Sequence, residues 1–409
     1  MSLQDKLISF EIWLFTQRRI WLYGSGTVVA YAIGLVARFF THSWSFQADG
    51  KPSCIDFSQF WVSGTLAGLG NPALVYDFST FSAARADLGG ADTCMVMNHF
   101  VYPPTYLFFT YPLGLMPYVA AFAAWTMITM LLYLMATYLI VPRPIAILVA
   151  LSPFPVFFNF FLGQNGFLLA GLMGLSLVLM ERRPRLSGIL LGLLTFKPQI
   201  GILFPFALLV SRRWRVVVSA MATSVVLIVA SIVVFGYQGW PAFIHTLADR
   251  GASLSPISRE SMRLESVYGF LWLAGINPSI AWAIQLAVAV SVAVVVWWIW
   301  ATPFPHSLKA AALCSAAAMA TPFVHGHDLC VLAIAAAFLV KDGLARGFLP
   351  GDRLIVLFSW IVIFLGFRDF SIGWIPCFAL LVLAIRRALA LSGHPLALTL
   401  QADVHRSFL

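Results

Sequence analysis

The sequence predicts an all-α polytopic membrane protein, and three observations carry that prediction. Apolar residues make up 61% of the chain and charged residues 10%, where soluble domains hold about half and about a quarter. Mean hydropathy is +0.90. Apolar runs long enough to cross a bilayer, which takes roughly 20 residues at about 1.5 Å each, recur with no soluble-sized segment between them. The 409 residues are therefore read as a single integral membrane domain. The net charge of +9 does not call for nucleic acid. The Lys and Arg residues sit in short turns between apolar runs, the pattern that orients a membrane protein.

Taken in order, residues 1–19 place Leu3, Leu7, Phe10 and Leu14 at helical spacing, which predicts an amphipathic helix on the cytoplasmic leaflet. Arg18 and Arg19 hold that end inside. The other basic clusters are Arg143, Arg182-Arg183-Arg185, Arg212-Arg213-Arg215, Lys309, Lys341 with Arg346 and Arg353, and Arg386-Arg387. Placing them all in the cytoplasm predicts about twelve spans with both termini inside. The spans fall near 20–41, 119–141, 145–161, 166–181, 186–196, 199–210, 215–235, 279–301, 308–323, 328–342, 353–367 and 371–389. The stretch 186–210 has arginines at both ends, so it reads as a hairpin of two short helices. Its outer tip is Thr195-Phe196-Lys197-Pro198-Gln199, and Pro198 supplies the break. Residues 104–116 follow Tyr102-Pro103-Pro104 and read as a partial or re-entrant helix. Two long external loops remain, 42–103, expected to carry amphipathic helices, and 236–278. In the second, Trp240, Phe243, Ile244 and Leu247 at helical spacing predict a helix lying on the outer leaflet; the alternative is a plain connector with solvated charges.

This orientation gathers the unusual polar residues on one side: Asp56, His99, Gln164, Asn165, Lys197, His325, His327, Asp328, Arg368 and Asp369. Ionisable groups at membrane depth are costly and line cavities or pair with one another, so a polar cavity open to the non-cytoplasmic face is expected. Asp56, just after the first span, is the candidate catalytic acid or base. Its alternative role is a helix N-cap, since Asp before an aromatic helical run caps well. Lys197, His325, His327 and Arg250 are candidates for binding a phosphate. Snorkelling is the alternative for Lys197, and a helix-start pair is the alternative for His327-Asp328. Gln164, Asn165, Tyr102, Trp61 and Asp328 are placed in the substrate cavity. Trp44, Trp61 and Tyr102 are equally suited to an interfacial aromatic belt. Cys54 and Cys94 share the first external loop, in an oxidising compartment, and are expected to form a disulfide. Cys314, Cys330 and Cys377 fall in spans as small apolar fillers. The sequence has no Asp-x-Asp or His-x-x-x-His pattern, and His325-Gly326-His327 alone is too sparse for a ligand set. No metal or other cofactor is expected.

Several segments also read together. They are Asp56-Phe57-Ser58-Gln59-Phe60-Trp61, Asn71-Pro72-Ala73-Leu74-Val75-Tyr76-Asp77, Phe100-Val101-Tyr102-Pro103-Pro104, Leu162-Gly163-Gln164-Asn165, and Gly188-Ile189-Leu190-Leu191-Gly192-Leu193 leading to Lys197-Pro198. Their order and spacing over residues 50–215 resemble glycosyltransferase family 87, a group of GT-C membrane enzymes that includes phosphatidylinositol-mannoside mannosyltransferases. Beyond residue 215 the resemblance thins, with Thr321-Pro322 and His327-Asp328 as anchors. It implies a GT-C-type fold and a polyprenyl-phosphate-linked sugar donor, such as a phosphomannose. It further implies an acceptor hydroxyl on a glycolipid or glycan, and an active site on the outer face of the plasma membrane. Asp56 matches the family's proposed catalytic base. The chemistry agrees. A polyprenyl phosphate is already a good leaving group, so one carboxylate to deprotonate the acceptor and cations to meet the phosphate suffice for metal-independent inversion. A secondary transporter or flippase would fit the spans and the cavity, but such proteins show paired repeats and none is visible here. A glycan polymerase or ligase uses the same carriers but places its catalytic loop late in the chain.

Overall fold

The computed structural model describes residues 3–89, 100–252, 264–366 and 371–393. Among these residues the regular structure is helical, with one isolated bridge between Phe46 and Pro52. Helix α1 (Leu3–Leu14) leads into α2 (Gln17–Phe40). The segment after α2 carries α3 (Phe57–Gly68) and α4 (Phe78–Gly89), and α5 (Leu107–Gly114) follows a tight turn at Pro104–Tyr106. Next come α6 (Tyr118–Ile140), α7 (Pro144–Leu151), α8 (Phe154–Leu162) and α9 (Gly166–Leu179). Three short helices, α10 (Pro184–Gly192), α11 (Pro198–Gly201) and α12 (Leu203–Val210), precede α13 (Trp214–Phe235) and α14 (Gly239–Ala252). The remainder is α15 (Val267–Leu273), α16 (Pro278–Ala301), α17 (His306–Ala320), α18 (Val331–Arg346), α19 (Asp352–Gly366) and α20 (Trp374–Leu391). Pro144, Pro184, Pro198 and Pro278 start their helices, where the missing N–H forfeits no intrahelical bond.

Helices α2, α6, α13, α16 and α20 are long and apolar enough to cross a membrane. The pair α7 and α8, bent by 68°, is a sixth if it forms one span. Helices α2 and α13 bury only 6% and 11% of their apolar windows, so their flanks need hydrocarbon around them. The five long helices coincide with the predicted spans at 20–41, 119–141, 215–235, 279–301 and 371–389. The predicted count of about twelve does not follow from helix length. Helices α9, α17, α18 and α19 have 14, 15, 16 and 15 residues, about 21–24 Å against a hydrocarbon core of about 30 Å. Helices α9, α17 and α18 are buried over most of their length by other helices. A helix that is apolar all round packs equally well inside a protein, and hydropathy alone reads it as a span. Residues 104–116 form only the turn and the eight-residue α5, the partial helix expected.

Glycines set the closest crossings. A Cβ on Gly64 would lie 2.0 Å from the Thr110 carbonyl oxygen, and one on Gly114 would lie 2.2 Å from the Thr65 nitrogen, so α3 and α5 touch backbone to backbone. Gly188 of α10 faces Val216 and Ser219 of α13, and Gly192 faces Ala220 and Thr223. The matching order means that α10 and α13 run parallel, so the chain reverses between them. This is the hairpin expected of 186–210, with its break at Lys197-Pro198, and it leaves both arginine clusters at one end. Arg213 meets Glu181 there at 3.4 Å. At the far end of α18, Arg387 bonds both Asp342 and Asp352, Arg386 bonds Asp352 at 3.0 Å, and Arg346 bonds Asp342. Nearby, the buried Glu11 of α1 accepts hydrogen bonds from the backbone N–H groups of Gly351, Arg353 and Leu354 at 3.0–3.2 Å. That carboxylate caps the start of α19.

Candidate active site

Asp56 stands immediately before α3 with helical backbone angles, and its side chain makes no capping hydrogen bond. The N-cap alternative is therefore not realised. Its Oδ2 instead accepts a hydrogen bond from Gln164 Nε2 at 3.1 Å. Gln164 is placed by a tight turn between α8 and α9 that only glycine permits. Gly163 has φ +65°, and a Cβ there would lie 2.7 Å from both Phe122 and Phe57. Asn159 Oδ1 secures the same turn by accepting from the Gly166 N–H at 2.7 Å. Burial pushes the half-buried Asp56 carboxyl up from its ordinary value, while the Gln164 hydrogen bond and the nearby Arg85 guanidinium pull it back. The outcome is a carboxyl raised above 3.8.

A second polar centre lies against the other side of that turn. A Cβ on Gly166 would fall 2.0 Å from the His327 carbonyl oxygen, so the Gln164 turn and the His327 turn are in backbone contact. The Lys197 ammonium bonds Asp328 Oδ1 and lies 3.3 Å from His327 Nε2. An ammonium can only donate, so that ring nitrogen is the acceptor. Asp328 Oδ2 takes the His325 backbone N–H at 3.2 Å, and the rings of His325 and His327 stack 5.5 Å apart. The helix-start role foreseen as an alternative for Asp328 is thus real, and it coexists with the lysine contact. Lys197 is 4% exposed, which removes the snorkelling alternative. His325 is the open member, with 38% of its side chain exposed.

His325, His327 and Asp328 have ligand atoms within 4.8 Å of one another, a grouping that could hold a metal ion. Lys197 already occupies the cation's place. Its ammonium bonds the one carboxylate of the group and touches His327 Nε2, so the donor set fits an ammonium better than a divalent ion.

The remaining predicted positions divide. Asn165 is fully buried and donates to the Tyr106 hydroxyl at 3.2 Å. Tyr102 stacks on Tyr106 at 4.5 Å, and Tyr106 on Phe196 at 5.2 Å. Trp61 Nε1 donates to the Met116 carbonyl at 2.9 Å, and Trp44 Nε1 to that of Phe161 at 2.7 Å. Of these, Asn165 and Tyr102 are buried, while Trp61 and Trp44 are half-buried. The amphipathic helix expected near Trp240 is α14, and Thr246 on it donates to the Tyr76 carbonyl at 3.3 Å, joining the two external loops. Cys54 is disulfide-bonded, while Cys314, Cys330 and Cys377 are free. Cys94, His99, Arg368, Asp369 and the Arg250 side chain lie outside the described residues. Sequence reasoning missed Arg85, Asn159 and Tyr106. Only the aromatic neighbours of Tyr106 mark it in the sequence; the other two acquire meaning only when distant helices meet.

Comparison with protein families gives a match. The family model for glycosyltransferase family 87 covers residues 100–324, more than half of the chain. Gln164, Asn165 and Lys197 fall inside that match, Asp56 precedes it, and His325 begins one residue beyond it. No curated protein and no solved structure matches.

Proposed function

The chain belongs to glycosyltransferase family 87, and from that premise we propose that it moves a hexose, mannose in our reading, from a polyprenyl-phosphate sugar to a hydroxyl of a glycolipid or glycan. The reaction takes place on the outer face of the plasma membrane, without a metal and with inversion. Asp56 takes the proton of the acceptor hydroxyl as that oxygen bonds to the anomeric carbon. The bond from that carbon to the phosphate oxygen breaks, and the electron pair leaves on the polyprenyl phosphate. Lys197 gives one ammonium hydrogen to Asp328 and a second to His327, and retains a third for the departing phosphate. His325, the exposed ring, is the other donor at the mouth of the site. Arg250, on α14, is a further phosphate-binding candidate.

The observation that carries this reading is the state of the Asp56 carboxylate. It caps nothing, it is oriented by the Gln164 amide, and the turn bearing that amide lies against the His327 backbone. A base and a cationic centre on opposite flanks of one turn suit a displacement at a carbon between acceptor and phosphate. The test is Asp56→Asn and Asp56→Ala in membranes supplied with a polyprenyl phosphosugar. Both variants should lose transfer while folding normally, and retained transfer would overturn the assignment.

A further inference from the structure

We propose that Arg85 is a positioning residue of the transfer reaction, a buried guanidinium on α4 that is hydrogen-bonded into the turn presenting Asp56 and serves as that carboxylate's counter-charge. This rests on reading Asp56 as the base. Arg85 is 6% exposed, and burying a guanidinium without a counter-charge is costly. Its Nε donates to Ser58 Oγ at 3.1 Å. Ser58 is itself fully buried in the first turn of α3, two residues beyond Asp56. The guanidinium is therefore tied to the backbone turn that presents the carboxylate.

Among the described residues, three groups act on Asp56 from neighbouring elements. Arg85 comes from α4, the neutral Gln164 amide from the turn before α9, and the Tyr118 phenol from α6. Tyr118 donates to the Ser53 carbonyl at 3.1 Å, so its hydroxyl hydrogen is committed elsewhere. Arg85 is thus the positive charge among them. Burial alone would leave Asp56 protonated over more of the pH range, and a protonated carboxyl cannot accept the acceptor's proton. The guanidinium opposes that burial effect, and the attraction is mutual, because Asp56 likewise favours the charged form of Arg85.

The experiment is the pH profile of sugar transfer by the full chain in detergent, with a polyprenyl phosphosugar as donor. Arg85→Met should move the acid limb upward, the direction expected when a nearby opposite charge is lost. The rate at alkaline pH should recover to within a few-fold of wild type. Arg85→Lys, which keeps the charge, should restore the limb. A folded Arg85→Met protein whose rate falls equally at every pH would overturn the proposal and reduce Arg85 to packing. Should Arg85→Met not give a monodisperse protein, Ser58→Ala unpins the guanidinium without removing it. The limb should again move upward, and an unmoved limb overturns the proposal. Asp56→Asn is run alongside. Transfer retained by that variant rejects the base itself. Transfer lost there with unmoved limbs in the Arg85 and Ser58 variants rejects only the present proposal.

Discussion

Asp56 has the backbone of a helix start but a side chain that caps nothing and accepts from Gln164, and the pH behaviour of the proposed base follows from its surroundings. Burial raises its folded-state value above the ordinary 3.8, so a base at this position is lost as pH falls through a value higher than that. The acid limb of the transfer profile should therefore lie higher than an unshifted aspartate would give. The sign for stability is opposite. A raised carboxyl favours folding at low pH, and this contribution fades as pH rises through the folded value. Gln164→Leu removes a hydrogen bond to the charged form, worth about 1.5–3 kcal/mol, and should move the same limb upward. Lys197→Met leaves Asp328 buried and unpaired, at a cost of about 3–5 kcal/mol. Its midpoint of thermal unfolding in detergent should fall. Lys197→Met with Asp328→Leu should recover most of that stability and none of the transfer. Chelators should leave the transfer rate unchanged, because an ammonium holds the place a metal would take. Asp56, Gln164 and Lys197 were legible in the sequence, since each lies in a short run with its own turn residues. Arg85 was not, because its partner Ser58 is 27 residues away on another helix.

Helices α8 and α9 hold the site only as long as the turn between them stays tight. A methyl group on Gly166 would enter the His327 carbonyl, and such overpacking costs about 1–3 kcal/mol. Gly166→Ala should lower thermal stability by that order and abolish transfer. Gly26→Ala on α2, where a Cβ meets nothing within 4 Å, should do neither. At this scale the sequence was informative about breaks. Pro198 marked the break at Lys197 correctly, and the basic clusters at 182–185 and 212–215 announced a chain reversal that the parallel packing of α10 and α13 bears out. It was less informative about surroundings. The runs in α9, α17 and α18 are apolar like those of the five long helices, and only the packing shows that other helices cover most of each.

Charge is divided between the two ends of α18. The Lys197, His327 and Asp328 centre stands at its start, and the network of Asp342, Asp352, Arg346, Arg386 and Arg387 at its finish, about 24 Å away for a helix of this length. The second network is remote from the first and should act on stability alone. Arg387→Met removes the cation that bridges the two buried aspartates and leaves Asp342 with Arg346 and Asp352 with Arg386, so folded yield and unfolding temperature should fall, while transfer per folded molecule stays near wild type. The basic residues of this end were visible in the sequence as orientation signals. That they are neutralised by Asp342 and Asp352 was not, because the pairs join α18, α19 and α20 across 34 to 45 residues.

The capping of α19 by Glu11 has a consequence for biosynthesis. The two partners are 340 residues apart, and translation at about 5–20 residues per second separates their appearance by roughly half a minute. During that interval Glu11 has no partner and α1 has no docking site. The contact can close only after residues 351–354 have been made. A nascent chain stalled before residue 351 should therefore leave α1 open to protease, and release of the stall should protect it.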